Sequence, residues 1–554
     1  MKKSYKQEKD EFYFYLHQIL AYKPILNRIF YYLKRSLILL KPNHEYSICI
    51  EATKLFIICF YVAVGIFCGS VFLLQNGLFQ ILYVIGAVVL FIRHFIFLYL
   101  EQEEIKLLKQ FQKFIGLLRH NYHKSKMLEE ALEESIVKAD FEISLHMECI
   151  YSLLRREEES VKEYQRTAPN RLFVSFYALC FVILKYGDTE SKQYSAFLNN
   201  LEQLKEEIYI ELLKREKLRH KFSGLVLIVL LPILFMNTIR VWALWSVPEL
   251  YQYYNSVYGV MVRVLVLVST VLAYEMIALL RGENQYREPE YVILNKVSEI
   301  KWIDKLLDIA ILWSGKKVRA WYSRIQPFSK HLTIRIFLLQ RCLSSFLGMF
   351  CYIYLLLCFD LQDSQIPFYV LLAVLGVLLA SYFPWIIISF KSLFQKEAKA
   401  LEIANMQYIV LVLYPVKSME VQILLEWMEL FSDYYRLSME SCVDDYSNLG
   451  EAALENLIEK EPDSELVKIV DAVSLCEQIG VERAFEGLES DRKYLLEKRK
   501  QDNEMHLSNR EVLAKCLTYL PLILLIGLYL IVPFVLESIS QLKEYILQFE
   551  AAMQ

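Results

Sequence analysis

The chain has 554 residues, is 55% hydrophobic and has a mean hydropathy of +0.29, which excludes an ordinary soluble multidomain protein. Its 16 glycines and 13 prolines disfavour a β-barrel, a glycine-rich nucleotide fold, collagen and disorder, and a net charge of -3 excludes the basic footprint of a nucleic-acid-binding protein. Because 23% of the residues are charged, apolar and charged blocks must alternate along the chain.

Residues 12–40 open the series of predicted elements, with aromatic residues mixed among Lys and Arg at helical spacing. This pattern predicts a pair of amphipathic helices lying on a membrane surface. A membrane-spanning helix needs about 20 apolar residues. Seven runs are about long enough. The first two share the uncharged stretch 55–92, with a turn at 75–77. The other five are 222–239, 258–280, 342–359, 364–390 and 516–536.

The distribution of Lys and Arg predicts the orientation of these spans. Ten of these residues lie in the first 54 positions and eleven in 281–335, whereas the short loops 75–77 and 360–367 contain none. With seven spans, the N-terminus and the large polar blocks are expected in the cytoplasm and the C-terminal tail outside. The predicted location is therefore the plasma or inner membrane of the cell.

The two large polar blocks, 101–221 and 392–512, show apolar residues at i, i+3, i+4 spacing, which predicts a helical bundle in each. The predicted fold is all-α, a polytopic membrane protein with two cytoplasmic bundles. Its segments are an N-terminal segment at 1–54, transmembrane pairs at 55–100, 222–280 and 336–391, bundles at 101–221 and 392–512, an amphipathic linker at 281–335, a last span at 513–537 and a tail at 538–554.

The two blocks match each other at an offset of 293 residues. Residues 168–173, with Pro169 and Asn170, align with 461–466, and the same offset carries Gly187 onto Gly480. Each glycine follows a helical run without an internal breaker, which predicts a left-handed C-cap.

A long charged segment then leads from each glycine into a span with an early proline, Pro232 or Pro521. The distance from glycine to proline is 45 residues in one copy and 41 in the other, a difference of about one helical turn. The sequence therefore predicts an internal duplication.

Catalytic and metal-binding patterns are not found in the sequence. The string Ser314-Gly315-Lys316-Lys317 lacks both the first Gly and the Ser/Thr of a Walker A motif. His120 and His123 share a helix face without a third ligand, and the eleven cysteines form no Cys-x-x-Cys pair. We therefore predict no enzyme activity, no cofactor and no metal.

Arg263 and Glu275 are charged residues inside the fourth predicted span. Such residues either snorkel to the membrane surface or make a functional polar contact. They are about 18 Å apart along a helix, so they are not expected to pair with each other. Arg281 and Arg341 are the alternative partners for Glu275.

The second block is much more acidic than the first. Residues 101–221 hold 20 basic and 21 acidic residues, whereas 392–512 hold 13 and 25. An acidic surface would orient a basic partner, although a simply solvated surface is the alternative. The candidates are Glu451, Glu455 and Glu459 at i, i+4, i+8 on one helix face, together with Glu477 and Glu482.

The second block resembles the F-type platform proteins of type II secretion and type IV pilus systems. In the second block the resemblance rests on Pro462 to Leu466, the helix through Ala472 and Cys476, Glu477 to Gly480, and the stretch Glu497 to Lys500. The first block matches less well. It keeps Pro169, Gly187 and Pro232 but has Lys185-Tyr186 in place of Gln478-Ile479. The whole plan is most similar to the two Tad pilus inner-membrane platform proteins joined in one chain, and archaellar platform proteins share a doubled layout.

The resemblance implies a non-catalytic membrane platform for pilus or pseudopilus assembly or for type II-like secretion. Its partners would be a hexameric secretion ATPase and pilin or pseudopilin subunits, and a homodimer is expected. The alternative is a membrane transporter or channel, which would need broken spans with polar midplane residues. The runs 55–75, 342–359 and 516–536 contain few such residues, which argues against it.

Overall fold

The computed structural model describes the chain from residue 2 to residue 553 with internal gaps. The residues it does not describe between these limits are 43, 72–77, 157–163, 165–166, 189, 192–193, 283–296, 299, 301, 306, 310, 313–319, 321–333, 359–376, 379–380, 388, 391–394, 414–419, 433, 481–482, 486 and 488–491. Every statement about the structure below concerns the described residues.

The described elements are helices, apart from two antiparallel two-residue strands, β1 (Glu190–Ser191) and β2 (Tyr194–Ser195). The helices up to the fourth predicted span are α1 (Lys2–Ala21), α2 (Pro24–Ile38), α3 (Glu45–Val71), α4 (Leu78–Ser125), α5 (Leu128–Lys138), α6 (Phe141–Leu154), α7 (Arg171–Tyr186), α8 (Ala196–Ser246), a 3₁₀ turn (Pro248–Leu250), α9 (Tyr251–Tyr254) and α10 (Val257–Arg281).

The remaining helices follow the predicted linker. They are α11 (Ile334–Cys358), α12 (Gln395–Leu413), α13 (Val421–Leu430), α14 (Arg436–Leu449), α15 (Glu451–Lys460), α16 (Ser464–Ile479), α17 (Arg492–Leu524), a π-helix (Leu525–Ile531) and α18 (Val532–Met553). This confirms the all-α prediction.

Five of the described helices are long and apolar enough to cross a membrane: Glu45–Cys68, Val84–Ser125, Ala196–Ser246, Val257–Arg281 and Leu496–Met553. Only 22% to 44% of the most apolar window of each is buried by protein, so most of that apolar surface is left for lipid. They coincide with the first four and the seventh predicted spans. The fifth, 342–359, overlaps α11, and most of the sixth, 364–390, lies outside the described residues.

The chain divides into two compact units. The first comprises Met1–Val62, Ile92–Leu218 and Lys396–His506, and the second comprises Ala63–Phe91, Arg219–Gln395 and Leu507–Gln554.

Both predicted bundles contribute to the first unit, and one hydrophobic core runs through them. Phe111 stacks on Phe173 with ring centroids 4.2 Å apart in the first bundle, and Phe181 meets Trp427 of the second bundle at 6.1 Å. The two blocks therefore share one hydrophobic core.

The N-terminal segment also belongs to the first unit. Phe30, Leu33, Leu37 and Leu40 lie on one side of α2 and its C-terminal turn, and all four are buried in the common core. The apolar stripe predicted to rest on a membrane surface is covered by protein in α2. On α1, by contrast, the aromatic residues Phe12 and Tyr15 remain exposed.

The second unit has a smaller apolar cluster of its own. Met236 and Ala243 of α8 pack with Val262 and Val266 of α10 and with Leu525 and Tyr529 of the π-helix; Leu250 and Tyr254 complete the cluster. Pro533 and Glu537 of α18 are also buried.

Candidate functional site

The helices α7 and α16, which the offset of 293 residues aligns, have the same length and the same caps. Each has 16 residues. Before α7, the Asn170 side chain accepts hydrogen bonds from the backbone N–H groups of residues 172 and 173; before α16, Asp463 accepts one from residue 465. Because 170 plus 293 is 463, the capping residues occupy matched positions, and an Asx side chain is a favoured N-cap.

The two matched glycines end these helices in the same way. Gly187 has φ 81° and ψ 170°, and Gly480 has φ 86° and ψ 151°. Each backbone N–H donates to the carbonyl four residues earlier, at 3.0 Å for Gly187 and 3.1 Å for Gly480. The predicted positive φ is present, but the ψ values place both residues in an extended region that only glycine adopts readily, rather than in the left-handed helical cap that we expected.

A matched pair of glutamate contacts, which the sequence analysis missed, joins the entry helix of each bundle to its exit helix. Glu104 of α4 pairs with Arg215 of α8, and Glu397 of α12 pairs with His506 of α17 at 2.9 Å. The acidic residues are 293 positions apart and the basic ones 291. Applying the offset to charged residues as well as to Gly and Pro would have revealed Glu104 and Glu397.

The exit helices α8 and α17 also contact each other within the first unit. Glu207 accepts from Arg499 at 2.8 Å, and Lys217 pairs with Glu504 at 2.5 Å. Along α8 the order is Glu207 and then Lys217, and along α17 their partners follow in the same order, so the two helices run parallel here. The residue-number differences of these two pairs, 292 and 287, are close to the offset of 293 that aligns α7 with α16.

The matched prolines lie inside their helices and are buried. Pro232 is within α8, which remains α-helical around it, whereas α17 passes into the π-helix four residues after Pro521. A proline lacks the N–H that would bond the carbonyl four residues before it, so each site weakens the regular ladder. The two helices differ after the proline, because only the second changes to π-helical winding.

Three of the acidic candidates share an exposed face of α15. Glu451, Glu455 and Glu459 are exposed, whereas Ala453, Leu454 and Leu457 on the opposite side are buried. We call these three glutamates the acidic face. Glu451 accepts a hydrogen bond from Gln478 at 3.1 Å. Glu477 lies in α16, and Glu482 is outside the described residues.

Of the charges predicted inside the fourth span, Arg263 contacts backbone and Glu275 is half-buried. The Arg263 guanidinium donates to the carbonyls of Gly259 at 3.2 Å and Tyr254 at 3.1 Å, so it holds the turn before α10. Arg341, one alternative partner for Glu275, donates instead to Ser381 at 3.3 Å.

Two titratable groups of α6 lie where the N-terminal segment meets the first bundle. His146 is 1% exposed and bonds the Leu40 carbonyl through Nε2 at 3.0 Å; burial lowers its pKa to about 4. Burial alone would raise the pKa of Glu142. Hydrogen bonds from Lys106 at 2.5 Å and Gln110 at 2.7 Å outweigh that effect and lower the pKa to about 2.

The described part of the chain contains no cluster of three or more His, Cys, Asp or Glu residues able to hold a metal ion. His120 and His123 are both exposed near the end of α4. Comparisons with protein-family models, with curated proteins and with solved structures find no match.

Proposed function

We propose that the protein is a non-catalytic membrane platform built from two copies of one structural plan. The observation that carries this proposal is the agreement of α7 with α16 in length, N-cap, C-terminal glycine and hydrogen bonding at a constant offset. Unrelated helices share such a set of caps rarely, because each cap depends on a particular residue at one position. The matched Glu104–Arg215 and Glu397–His506 pairs add support.

In this proposal the chain has seven membrane spans and lies in the plasma or inner membrane of the cell. The N-terminus and both bundles are in the cytoplasm. Each bundle leads into one long helix that begins with a charged segment. The first, α8, continues through a whole apolar run, and the second, α17, includes the start of one. A continuous helix is stiff, so a movement imposed on its charged end is passed along its axis. This is the mechanical requirement for a platform that transmits work done by a partner.

The partner that performs the work is a cytoplasmic secretion or pilus ATPase, and the load is a pilin or pseudopilin in the membrane. The resemblance of residues 462–500 to F-type platform proteins supports this assignment. The acidic face of α15 is the docking surface for a basic lobe of the ATPase, because exposed like charges on one helix face steer an oppositely charged partner.

Cross-linking and capture of the full-length protein from its native cell test this proposal. We expect a secretion-type ATPase and small pilin-like proteins to be recovered, and the ATPase to be lost when Glu451, Glu455 and Glu459 are all changed to Lys. A matched control changes three exposed glutamates of the first bundle, Glu129, Glu130 and Glu148, to Lys.

Each outcome separates one part of the proposal from another. Equal ATPase recovery from all three forms would overturn the acidic docking face while keeping the platform. Recovery of neither an ATPase nor a pilin, combined with binding of a small solute or an ion by the purified protein, would overturn the platform in favour of a transporter or channel.

A further inference from the structure

The guanidinium of Arg240, near the end of α8, is buried without a carboxylate partner in the described part of the chain. Arg240 is 7% exposed. Its Nη2 donates to the Asn255 side chain at 2.6 Å, and its Nε is buried with no hydrogen-bond partner among the described residues. A buried charge that no opposite charge balances is costly, so this group is suited to an anion.

A second guanidinium lies in the same part of the second unit. Arg263 donates to the carbonyls of Tyr254 and Gly259. A Cβ on Gly259 would come within 2.4 Å of the Tyr254 carbonyl oxygen, so the close approach of α9 to α10 needs glycine at this position. Arg240 bonds Asn255 and Arg263 bonds the carbonyl of Tyr254, so both guanidinium groups contact the same turn before α10.

Two buried tyrosines pack against each other in the apolar cluster of the second unit. Tyr254 and Tyr529 are each 1% exposed, and their ring centroids are 5.0 Å apart. Neither hydroxyl has a hydrogen-bond partner among the described residues. The charge of Arg240 acts on both, and that of Arg263 acts on Tyr529.

One buried carboxylate is present nearby, but neutral groups hold it. Glu537 of α18 is 6% exposed and accepts from Gln252 at 2.9 Å and from Gln541 at 3.3 Å; Tyr253 also bonds it. Among the described residues Glu537 makes no ion pair with Arg240, whose Nη2 donates to Asn255 and whose Nε has no partner. The Nε–H of Arg240 and the hydroxyls of Tyr254 and Tyr529 are thus three buried donors without an acceptor in the described chain.

We propose that Arg240, Arg263, Tyr254 and Tyr529 form a binding site for the phosphate of an anionic phospholipid headgroup. The planar guanidinium matches phosphate oxygens in geometry, and each tyrosine hydroxyl can donate one further hydrogen bond. The apolar residues of the surrounding cluster exclude water and strengthen these contacts.

The position along α8 favours a lipid over a soluble anion. Arg240 directly follows the uncharged run 222–239, and Trp242 and Trp245 beside it are 53% and 85% exposed. Exposed tryptophans next to the end of an apolar run mark the depth at which headgroups lie. The site is independent of the platform role, since any membrane protein with this geometry would carry it.

Thermal unfolding of the purified full-length protein in detergent, titrated with phosphatidylglycerol, tests the site. We expect the lipid to raise the Tm and Arg240→Gln to weaken its apparent affinity about tenfold or more, as loss of a charged hydrogen-bonding group predicts. Tyr529→Phe keeps the ring and removes one donor, and we expect a loss of several-fold. The control Lys543→Gln removes an exposed cation of α18 and should titrate like the unchanged protein.

An inorganic phosphate titration separates the sources of the anion. An equal, Arg240-dependent stabilisation by inorganic phosphate would overturn the lipid in favour of a free anion. An unchanged response to phosphatidylglycerol in Tyr529→Phe and Arg240→Gln would overturn the site. If Arg240→Gln does not fold, the Tm response of Tyr529→Phe to phosphatidylglycerol alone decides whether the site exists. Stabilisation by neither phosphate source would also overturn it, and the carboxylate of a partner helix would then be the candidate counter-charge.

Discussion

Protonation of His146 should loosen the junction between the N-terminal segment and the first bundle. Its ring packs 5.0 Å from Phe173 and its Nε2 bonds the Leu40 carbonyl, so it is buried in the neutral form. Burial lowers its pKa from 6.5 to about 4. Since the unfolded chain binds the proton more tightly, this contribution to stability is complete above pH 6.5 and is lost as the pH falls towards 4.

The magnitude follows from the size of the pKa difference. Between pH 6.5 and pH 5 the loss is about 2 kcal/mol, at about 1.4 kcal/mol for each pH unit. Glu142 does not interfere in this window. Its pKa is about 2 in the folded protein against 4.5 ordinarily, so its own contribution is lost only as the pH falls below 4.5.

Hydrogen–deuterium exchange of the full-length protein, corrected for intrinsic rates, measures the opening free energy of α6 and α7 at pH 6.5 and pH 5. We expect His146→Gln, which keeps a donor but cannot titrate here, to remove most of the pH dependence. The control His120→Gln changes an exposed histidine of α4 and should follow the unchanged protein. An identical loss of protection with falling pH in His146→Gln and the unchanged protein would refute the reasoning.

Three further comparisons test the local structure, each by the Tm or the hydrogen–deuterium exchange of full-length variants. Asp463→Ala removes an N-cap and should lower the stability of α16 by about 1 kcal/mol; unaltered exchange in α16 would contradict this role. Glu104→Gln should lower the free energy of unfolding by about 3 kcal/mol, because Glu104 is 1% exposed. Glu397→Gln should lower it by less than about 1 kcal/mol, because the His506 partner is 48% exposed. Equal losses would contradict the difference in burial. Gly259→Ala should lower the Tm by more than Gly224→Ala, which has open space around it, and the reverse order would contradict the close approach of α9 to α10.

The helices and their ends could be predicted from the sequence because these depend on local patterns. Periodic apolar residues marked α7 and α16, and the glycines at 187 and 480 marked their ends. The ψ values of those glycines could not be predicted, because the chain that follows each helix sets its exit direction.

Packing between distant segments was beyond sequence reasoning. The stripe Phe30, Leu33, Leu37 and Leu40 has the spacing of a membrane-surface helix and of a core helix alike, and only the three-dimensional arrangement shows that protein covers it. The common core of the two bundles could not be predicted for the same reason, since periodicity identifies an apolar face but not the face that it packs against.

The cluster around Arg240 shows the same limit for charged residues. In the sequence Arg240 is a single cation at the end of an apolar run, which is typical of a residue at the membrane surface. Its surroundings depend on the fold: it bonds Asn255, 15 positions away, and its charge acts on Tyr254 and Tyr529, 14 and 289 positions away. By contrast, Arg263 was identified because a charge inside an apolar run is visible from composition alone.

The central claim, that the chain transmits work without performing catalysis itself, is tested most directly by ATP turnover in liposomes. The captured ATPase is measured alone, with the full-length protein, and with the variant in which Glu451, Glu455 and Glu459 are Lys. The account predicts no ATP hydrolysis by the protein alone, a several-fold stimulation of the ATPase by the unchanged protein, and loss of that stimulation in the variant. An ATPase rate that the protein leaves unchanged, or hydrolysis by the purified protein itself, would contradict the account.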